Sequence, residues 1–186
     1  MFITTYEEIR GFKGKPLRIE LKENARPVFQ KMRRLSPEQV GVLREEIVKL
    51  LKVDIIYLVV HLDWASPVVI VPKKDGRWRI CVDYKPLNAV TKANHYPLPH
   101  MDDILDRVAG HEMYSLCDGY FGYFLITIAL KDQVKTTFIT PWNCFCYKWM
   151  PFGLKNAPSQ YQENSNQVLA PFLDKFYKVF IDDICV

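Results

Sequence analysis

Two adjacent carboxylates, Asp182 and Asp183, interrupt the apolar run Lys178-Val179-Phe180-Ile181-Asp182-Asp183-Ile184-Cys185-Val186. Such a run reads as a buried strand. Charge there is expensive unless it is paired, turned out to water or bound to a metal. The bland alternative is a surface turn, where Asp is common. A third carboxylate, Asp118, ends an earlier strand-like stretch, Met113 to Asp118. If the two strands are neighbours, three carboxylates meet at one end of a sheet. Two like charges about 4 Å apart repel by roughly 4 kcal/mol at an effective dielectric near 20. A cluster of three therefore demands cations. Hard oxygen ligands suit magnesium, which keeps waters and borrows substrate phosphates for its remaining positions. Two such ions about 3.5–4 Å apart can activate an attacking oxygen and stabilise a leaving one. Spacing permits this arrangement without establishing it.

The basic residues Lys73, Lys74, Arg77, Arg79, Lys85 and Lys92 are balanced in their own stretch only by Asp75 and Asp83. A local excess of this kind suits a polyanion, either a nucleic acid or a triphosphate, and a solvated hairpin is the plainer reading. A second acidic pair, Asp102-Asp103, serves as a control. It falls in the first turn of an expected helix, where carboxylates complement the macrodipole, and is assigned to structure.

The elements that must position these residues follow from local signals. Residues 1–35 mix charge, Gly and Pro and read as an extended arm with one strand at Leu17–Leu21. Ser36-Pro37-Glu38-Gln39 is a helix start: Ser as N-cap, Pro in first helical position, Gln three residues on. Val40, Leu43, Ile47, Leu50 and Leu51 then recur at helical spacing. Ile55–Val60 is short and extended. Val68–Val71 and Trp78–Tyr84 form a hairpin across Asp75-Gly76, gathering Lys73, Lys74 and Arg79 around its turn. Met101, Ile104, Leu105 and Val108 are the apolar face of a helix stopped by Gly110. An aromatic turn, Gly119–Tyr123, leads to an alternating strand at Phe124–Leu130. Val134–Thr140 and Cys144–Met150 make a second hairpin around Pro141-Trp142-Asn143. A last helix carries Tyr161, Val168, Leu169 and Phe172 as its buried stripe, and Phe176–Ile181 is the final strand. Strands, intervening helices and hairpin signals together give an α+β fold.

At 186 residues the chain fits one domain or two subdomains sharing a core. Its 49% hydrophobic content is enough to fill that core, which argues against disorder. No apolar run is long enough to cross a membrane. Cys81, Cys117, Cys144, Cys146 and Cys185 show no disulfide spacing and read as reduced intracellular thiols; Cys144 and Cys146 lack the partners of a zinc site.

The motifs resemble the reverse transcriptase domain of gypsy-type long-terminal-repeat retrotransposons, from about Leu17 to Val186. The blocks are Arg33-Arg34-Leu35-Ser36-Pro37, Trp64–Val69, Pro72–Gly76, Trp78–Tyr84, Leu87-Asn88, Tyr96–Pro99, Asp118–Tyr123, Met150–Pro158 and Phe180–Asp183. The resemblance implies the fingers and N-terminal palm of a right-hand polymerase: an arm at 1–35, mainly fingers at 36–110, and mainly palm with some fingers at 111–186, ending before the thumb. It implies an RNA-directed DNA polymerase using two magnesium ions, with manganese as a substitute. Asp118, Asp182 and Asp183 match the catalytic metal ligands. Arg79 and either Lys73 or Lys74 match the grip on the incoming triphosphate. Gly119 matches a backbone metal contact, Tyr123 the gate under the sugar, and Phe152 and Gly153 the loop flanking the nascent base pair. The implied partners are template, primer, deoxynucleoside triphosphates and the rest of a Pol polyprotein, with thumb, ribonuclease H and integrase. The implied location is a cytoplasmic particle, with the nucleus as alternative.

Several positions depart from the family's usual residues: Cys117, Phe121, Leu125, Glu163 and Ser165, the last expected in a core register. The sequence also stops just after the aspartate pair, leaving a short return strand. The expectation is weak primer extension by this chain alone. The alternative reading is a decayed retroelement remnant that at most binds nucleic acid.

Overall fold

The computed structural model describes residues 11, 14–60, 63–74, 76–100, 102–103, 106, 109–110, 113, 115–118, 122–171, 178–180 and 183–185. Positions 116–118, 178–180 and 183–184 are described by backbone pairing alone. In chain order the elements are α1 (Pro37–Lys52), β1 (Ile56–Val59), β2 (Ser66–Pro72), β3 (Trp78–Val82), α2 (Lys85–Val90), β4 (Leu116–Asp118), α3 (Leu130–Gln133), β5 (Phe138–Ile139), β6 (Cys144–Tyr147), α4 (Ala157–Leu169), β7 (Lys178–Phe180) and β8 (Asp183–Cys185).

α1 starts where its sequence dictates. The Ser36 hydroxyl accepts from the Gln39 N–H at 3.2 Å while Gln39 Oε1 accepts from the Ser36 N–H at 2.9 Å. Two otherwise orphaned donors are thereby satisfied. Leu43, Ile47 and Leu50 form its buried face, whereas Val40 is half-buried and Leu51 is 41% exposed on the flank. β2 and β3 form the expected hairpin, closed by Lys73 N–H donating to Arg77 O at 2.7 Å. Gly76 holds φ +78°, a backbone conformation that costs glycine nothing. β5 and β6 form the second hairpin, where the Thr140 hydroxyl donates to Asn143 O and accepts from the Asn143 N–H.

These strands join in a five-stranded sheet ordered β1-β6-β5-β2-β3, antiparallel except for the parallel β2–β5 pair. A separate three-stranded sheet runs β4-β8-β7. The core between the elements includes Leu43, Ile55, Ile56, Tyr84, Leu87, Phe138 and Met150, each 2% exposed or less.

Several elements differ from expectation. The strand at Leu17–Leu21 is instead a strap with two isolated bridges, Leu17 to Ile128 and Leu21 to Thr91. Between them the Ile19 N–H donates to the buried Asp132 carboxylate at 3.0 Å, so a side chain interrupts the ladder. The alternating stretch Phe124–Leu130 is no continuous strand: Gly122–Leu125 is a 3-10 turn, Thr127 and Ile128 make single bridges, and α3 follows. Val134–Thr136 is likewise a 3-10 turn, so β5 begins only at Phe138. α2 was not anticipated; Pro86 in its first turn and the Asp83 carboxylate accepting from the Lys85 N–H at 3.2 Å start it.

In α4 the buried side is Ala157, Ser159, Gln160, Tyr161, Gln162 and Asn164. Val168 is 49% exposed and Ser165 only half-buried, so neither holds the core register assigned to it; Phe172 lies outside the described residues. Amide pairs one turn apart replace an apolar stripe: Gln160 to Asn164 at 3.3 Å and Gln162 to Asn166 at 3.0 Å. Asp102, Asp103 and Asp106 are helical and exposed, and Gly110 has φ +96°, matching a helix stop; the helix's apolar face lies outside the described residues. The final stretch is two strands rather than one. β8 lies between β4 and β7.

Candidate active site

The two carboxylate-bearing strands are direct neighbours. β4 pairs with β8 antiparallel in the register Leu116 to Cys185, Cys117 to Ile184 and Asp118 to Asp183. On its other side β8 pairs with β7, which sets Phe180 opposite Asp183. Residues opposed in an antiparallel ladder have Cα atoms about 4.5–5.5 Å apart. Two of the three expected ligand positions are thus brought side by side; Asp182 and Gly119 lie outside the described residues. The donor set fits a hard divalent cation: two acidic positions at one register point, each able to give carboxylate oxygen. Among the described residues no group of three or more His, Cys, Asp or Glu side chains is placed to hold a metal ion.

The basic hairpin is built as expected, with a refinement. Arg79 lies opposite Val71. Lys73 is two residues beyond Val71, so pleat alternation puts Lys73 and Arg79 on one face of the ribbon and Lys74 in the turn. Arg79 and Lys74 are exposed and Lys73 half-exposed, as a grip on a mobile anion requires. At the hairpin's base Arg33 pairs with the Asp83 carboxylate. Gln30 Nε2 donates to Asp83 O at 3.2 Å. The arm is thereby fastened beside the ribbon.

Tyr123 and Phe152 come together from distant parts of the chain. Their ring centroids are 4.4 Å apart, and Tyr123 stacks on Tyr161 of α4 at 5.2 Å. Tyr123 is buried, at 6% exposure, while Phe152 is 54% exposed and covers it. Gly153 has φ +95°, which confines this position to glycine. Its carbonyl accepts from Asn88 Nδ2 at 2.8 Å, and Asn88 Oδ1 accepts from the Lys155 N–H at 2.8 Å. Asn156 continues the clamp, donating to Lys92 O at 2.8 Å and accepting from the Asn94 N–H at 3.0 Å. The sequence marks Asn88 as part of a motif but gives no sign of its partner, which is 65 residues away.

An open cleft of about 620 Å³ lies elsewhere, lined among others by Lys15, Arg18, Glu20, Lys92, Asn156 and Glu163. It carries both signs of charge and is not bounded by β4 or β8. Burial pushes the Cys146 thiol up to about 11 and the Tyr57 phenol, hydrogen-bonded to it, up to about 12. Neither is a poised nucleophile at neutral pH.

Comparison with known proteins returns one coherent answer. Residues 71–186 match the model of the family described as reverse transcriptase (RNA-dependent DNA polymerase). The chain is 34% identical over 178 residues to the transposon Tf2-3 polyprotein of Schizosaccharomyces pombe, covering 95% of this chain and 13% of that protein. It is 41% identical over 108 residues to an RNA-directed DNA polymerase homolog of Oenothera berteroana, covering 58% of this chain and 76% of that one. In fold it is similar to the foamy viral protease-reverse transcriptase solved in complex with RNA/DNA hybrid. The TM-score is 0.84 at 22% identity, covering 96% of this chain and 24% of that one.

Proposed function

The chain belongs to the reverse transcriptase family, and from that premise we propose that it forms the nucleotide- and metal-binding part of an RNA-directed DNA polymerase from a gypsy-type long-terminal-repeat retrotransposon. Residues 36–110 act mainly as fingers and 111–186 mainly as palm, with residues 1–35 as an arm whose described part bridges to both at Leu17, Leu21 and Phe29. The observation that carries this reading is the register of Asp118 opposite Asp183 across β4 and β8.

In the reaction a primer 3′-hydroxyl oxygen attacks the α-phosphorus of a deoxynucleoside triphosphate, the new O–P bond forms, and pyrophosphate leaves. Asp118, Asp182 and Asp183 would hold two magnesium ions, with Gly119 O as a further ligand; the ions supply charge neutralisation at the attacking and leaving oxygens. Arg79 and Lys73 bind the triphosphate oxygens from the fingers, with Lys74 beside them in the turn. Their contribution is positioning and electrostatics, which dominate phosphoryl transfer. Tyr123 forms the floor under the sugar, and Phe152 with Gly153 borders the nascent base pair. Template, primer and the remainder of a Pol polyprotein complete the machine, in a cytoplasmic particle.

The test is magnesium-dependent binding of a deoxynucleoside triphosphate by the purified chain. Asp118→Asn is expected to weaken it by more than about tenfold, and EDTA to abolish it, while Asp102→Asn leaves it unchanged. Magnesium-independent binding, or indifference to Asp118→Asn, would leave the remnant reading, in which the basic hairpin binds nucleic acid alone.

A further inference from the structure

Asn88 uses both ends of its amide on one short loop. Its own position is firm. The Asn88 N–H donates to Tyr84 O at 2.8 Å within the start of α2. The adjacent Leu87 is 1% exposed, and the Tyr84 hydroxyl donates to Thr136 O at 2.9 Å. From that anchored base, Nδ2 donates to Gly153 O and Oδ1 accepts from the Lys155 N–H, both at 2.8 Å. An amide satisfied at both ends fixes direction as well as distance. The loop needs such a constraint, because Gly153 at φ +95° is a pivot with a wide range of alternatives. The peptide held just past that pivot is the one between Gly153 and Leu154, one residue on from Phe152, whose ring lies over Tyr123.

The loop is tied further on by other bonds. Lys155 Nζ donates to Thr91 O at 3.0 Å and Asn156 Nδ2 to Lys92 O at 2.8 Å. Removing the Asn88 amide therefore frees the Phe152 end of the loop while α4 stays fastened. We propose that Asn88 is a positioning residue for substrate selection: it holds Phe152 and Gly153 over Tyr123, so that the enzyme's preference for deoxyribo- over ribonucleoside triphosphates depends on a side chain that meets neither. This rests on the polymerase reading of Tyr123 and Phe152.

Two variants separate the bonds. Asn88→Ala removes both. Asn88→Asp keeps an acceptor for the Lys155 N–H but sets a carboxylate oxygen against Gly153 O, where only repulsion is available. In the purified chain with magnesium, the ratio of dissociation constants for GTP and dGTP is expected to fall about tenfold in both variants. Amide exchange at Lys155 should accelerate in Asn88→Ala only. A merely structural role would weaken both nucleotides equally and leave the ratio intact; that result, in variants that melt as cooperatively as the parent, overturns the inference. If Asn88→Ala does not fold, Asn88→Asp decides alone. If the unsubstituted chain binds neither nucleotide, the polymerase reading falls first and takes this inference with it.

Discussion

Gly122 and Tyr161 fit together so closely that the glycine has no room for a methyl group. A Cβ at Gly122 would overlap the Tyr161 hydroxyl and lie 2.7 Å from its Cζ. The same ring stacks on Tyr123, which Phe152 also contacts. Gly122→Ala must therefore displace Tyr161 and loosen the stack at the Tyr161 ring, as Asn88→Ala would loosen it at Phe152. The expected cost is about 1–3 kcal/mol, the range for overpacking a filled site, read as a shift of the urea midpoint. A shift under about 0.5 kcal/mol would mean that the Tyr161 ring yields freely. Nothing in Gly-Tyr-Phe as letters discloses this contact, since its partner is on another element. By contrast Asp118, Asp182 and Asp183 stood out in the sequence because charge inside an apolar run demands a reason.

Among elements, those with local punctuation were legible: the Ser36 capping box, the Asp75-Gly76 hairpin and the Pro141–Asn143 turn each satisfy their own backbone within a few residues. The stretch from Gly122 to Thr136 was not, because its hydrogen bonds are distributed over distant chain. Leu17 N–H donates to Thr127 O, Ile128 N–H to Lys148 O and Met150 N–H to Ile126 O. Apolar alternation alone cannot tell such a threaded segment from a strand. The strap shows what holds it. Asp132, 1% exposed, accepts from the Ile19 N–H, and Lys135 Nζ bridges the same carboxylate at 2.5 Å and Ile19 O at 2.7 Å. Removing one partner of a buried pair costs about 3–5 kcal/mol. Asp132→Ala should fall near that range in chemical denaturation and expose Lys15–Glu23 to proteolysis at low protease concentration. Asp132→Asn, which keeps an acceptor for Ile19, should cost less. Equal losses would show that charge, rather than the hydrogen bond, fastens the strap.

For the molecule as a whole, the buried thiol and phenols set an alkaline limit. Burial raises Cys146 to about 11 and Tyr57 to about 12, and raises Tyr84 and Tyr147 as well. Each folded value exceeds the unfolded one, so above pH ~9 the unfolded chain loses protons that the fold retains. Stability is full below that point and declines as pH rises toward the folded values. The melting temperature at pH 10.5 is expected to lie several degrees below that at pH 8, roughly 2–4 °C for each kcal/mol lost. Cys146→Ala should flatten the early part of the decline; an unaltered profile would assign it to the tyrosines. A different consequence follows from β8, the middle strand of its sheet although it comes after both of its neighbours in the chain. During synthesis Asp118 emerges long before the strand that must lie beside it. Loop closure across that separation is slow compared with helix or hairpin formation. The strap, the five-stranded sheet and the Tyr123 stack can all assemble on the ribosome while the two aspartate-bearing strands are still apart. The pairing that sets Asp118 opposite Asp183 therefore closes after those parts, and a nascent chain is spared the juxtaposition of these two acidic positions until they have formed.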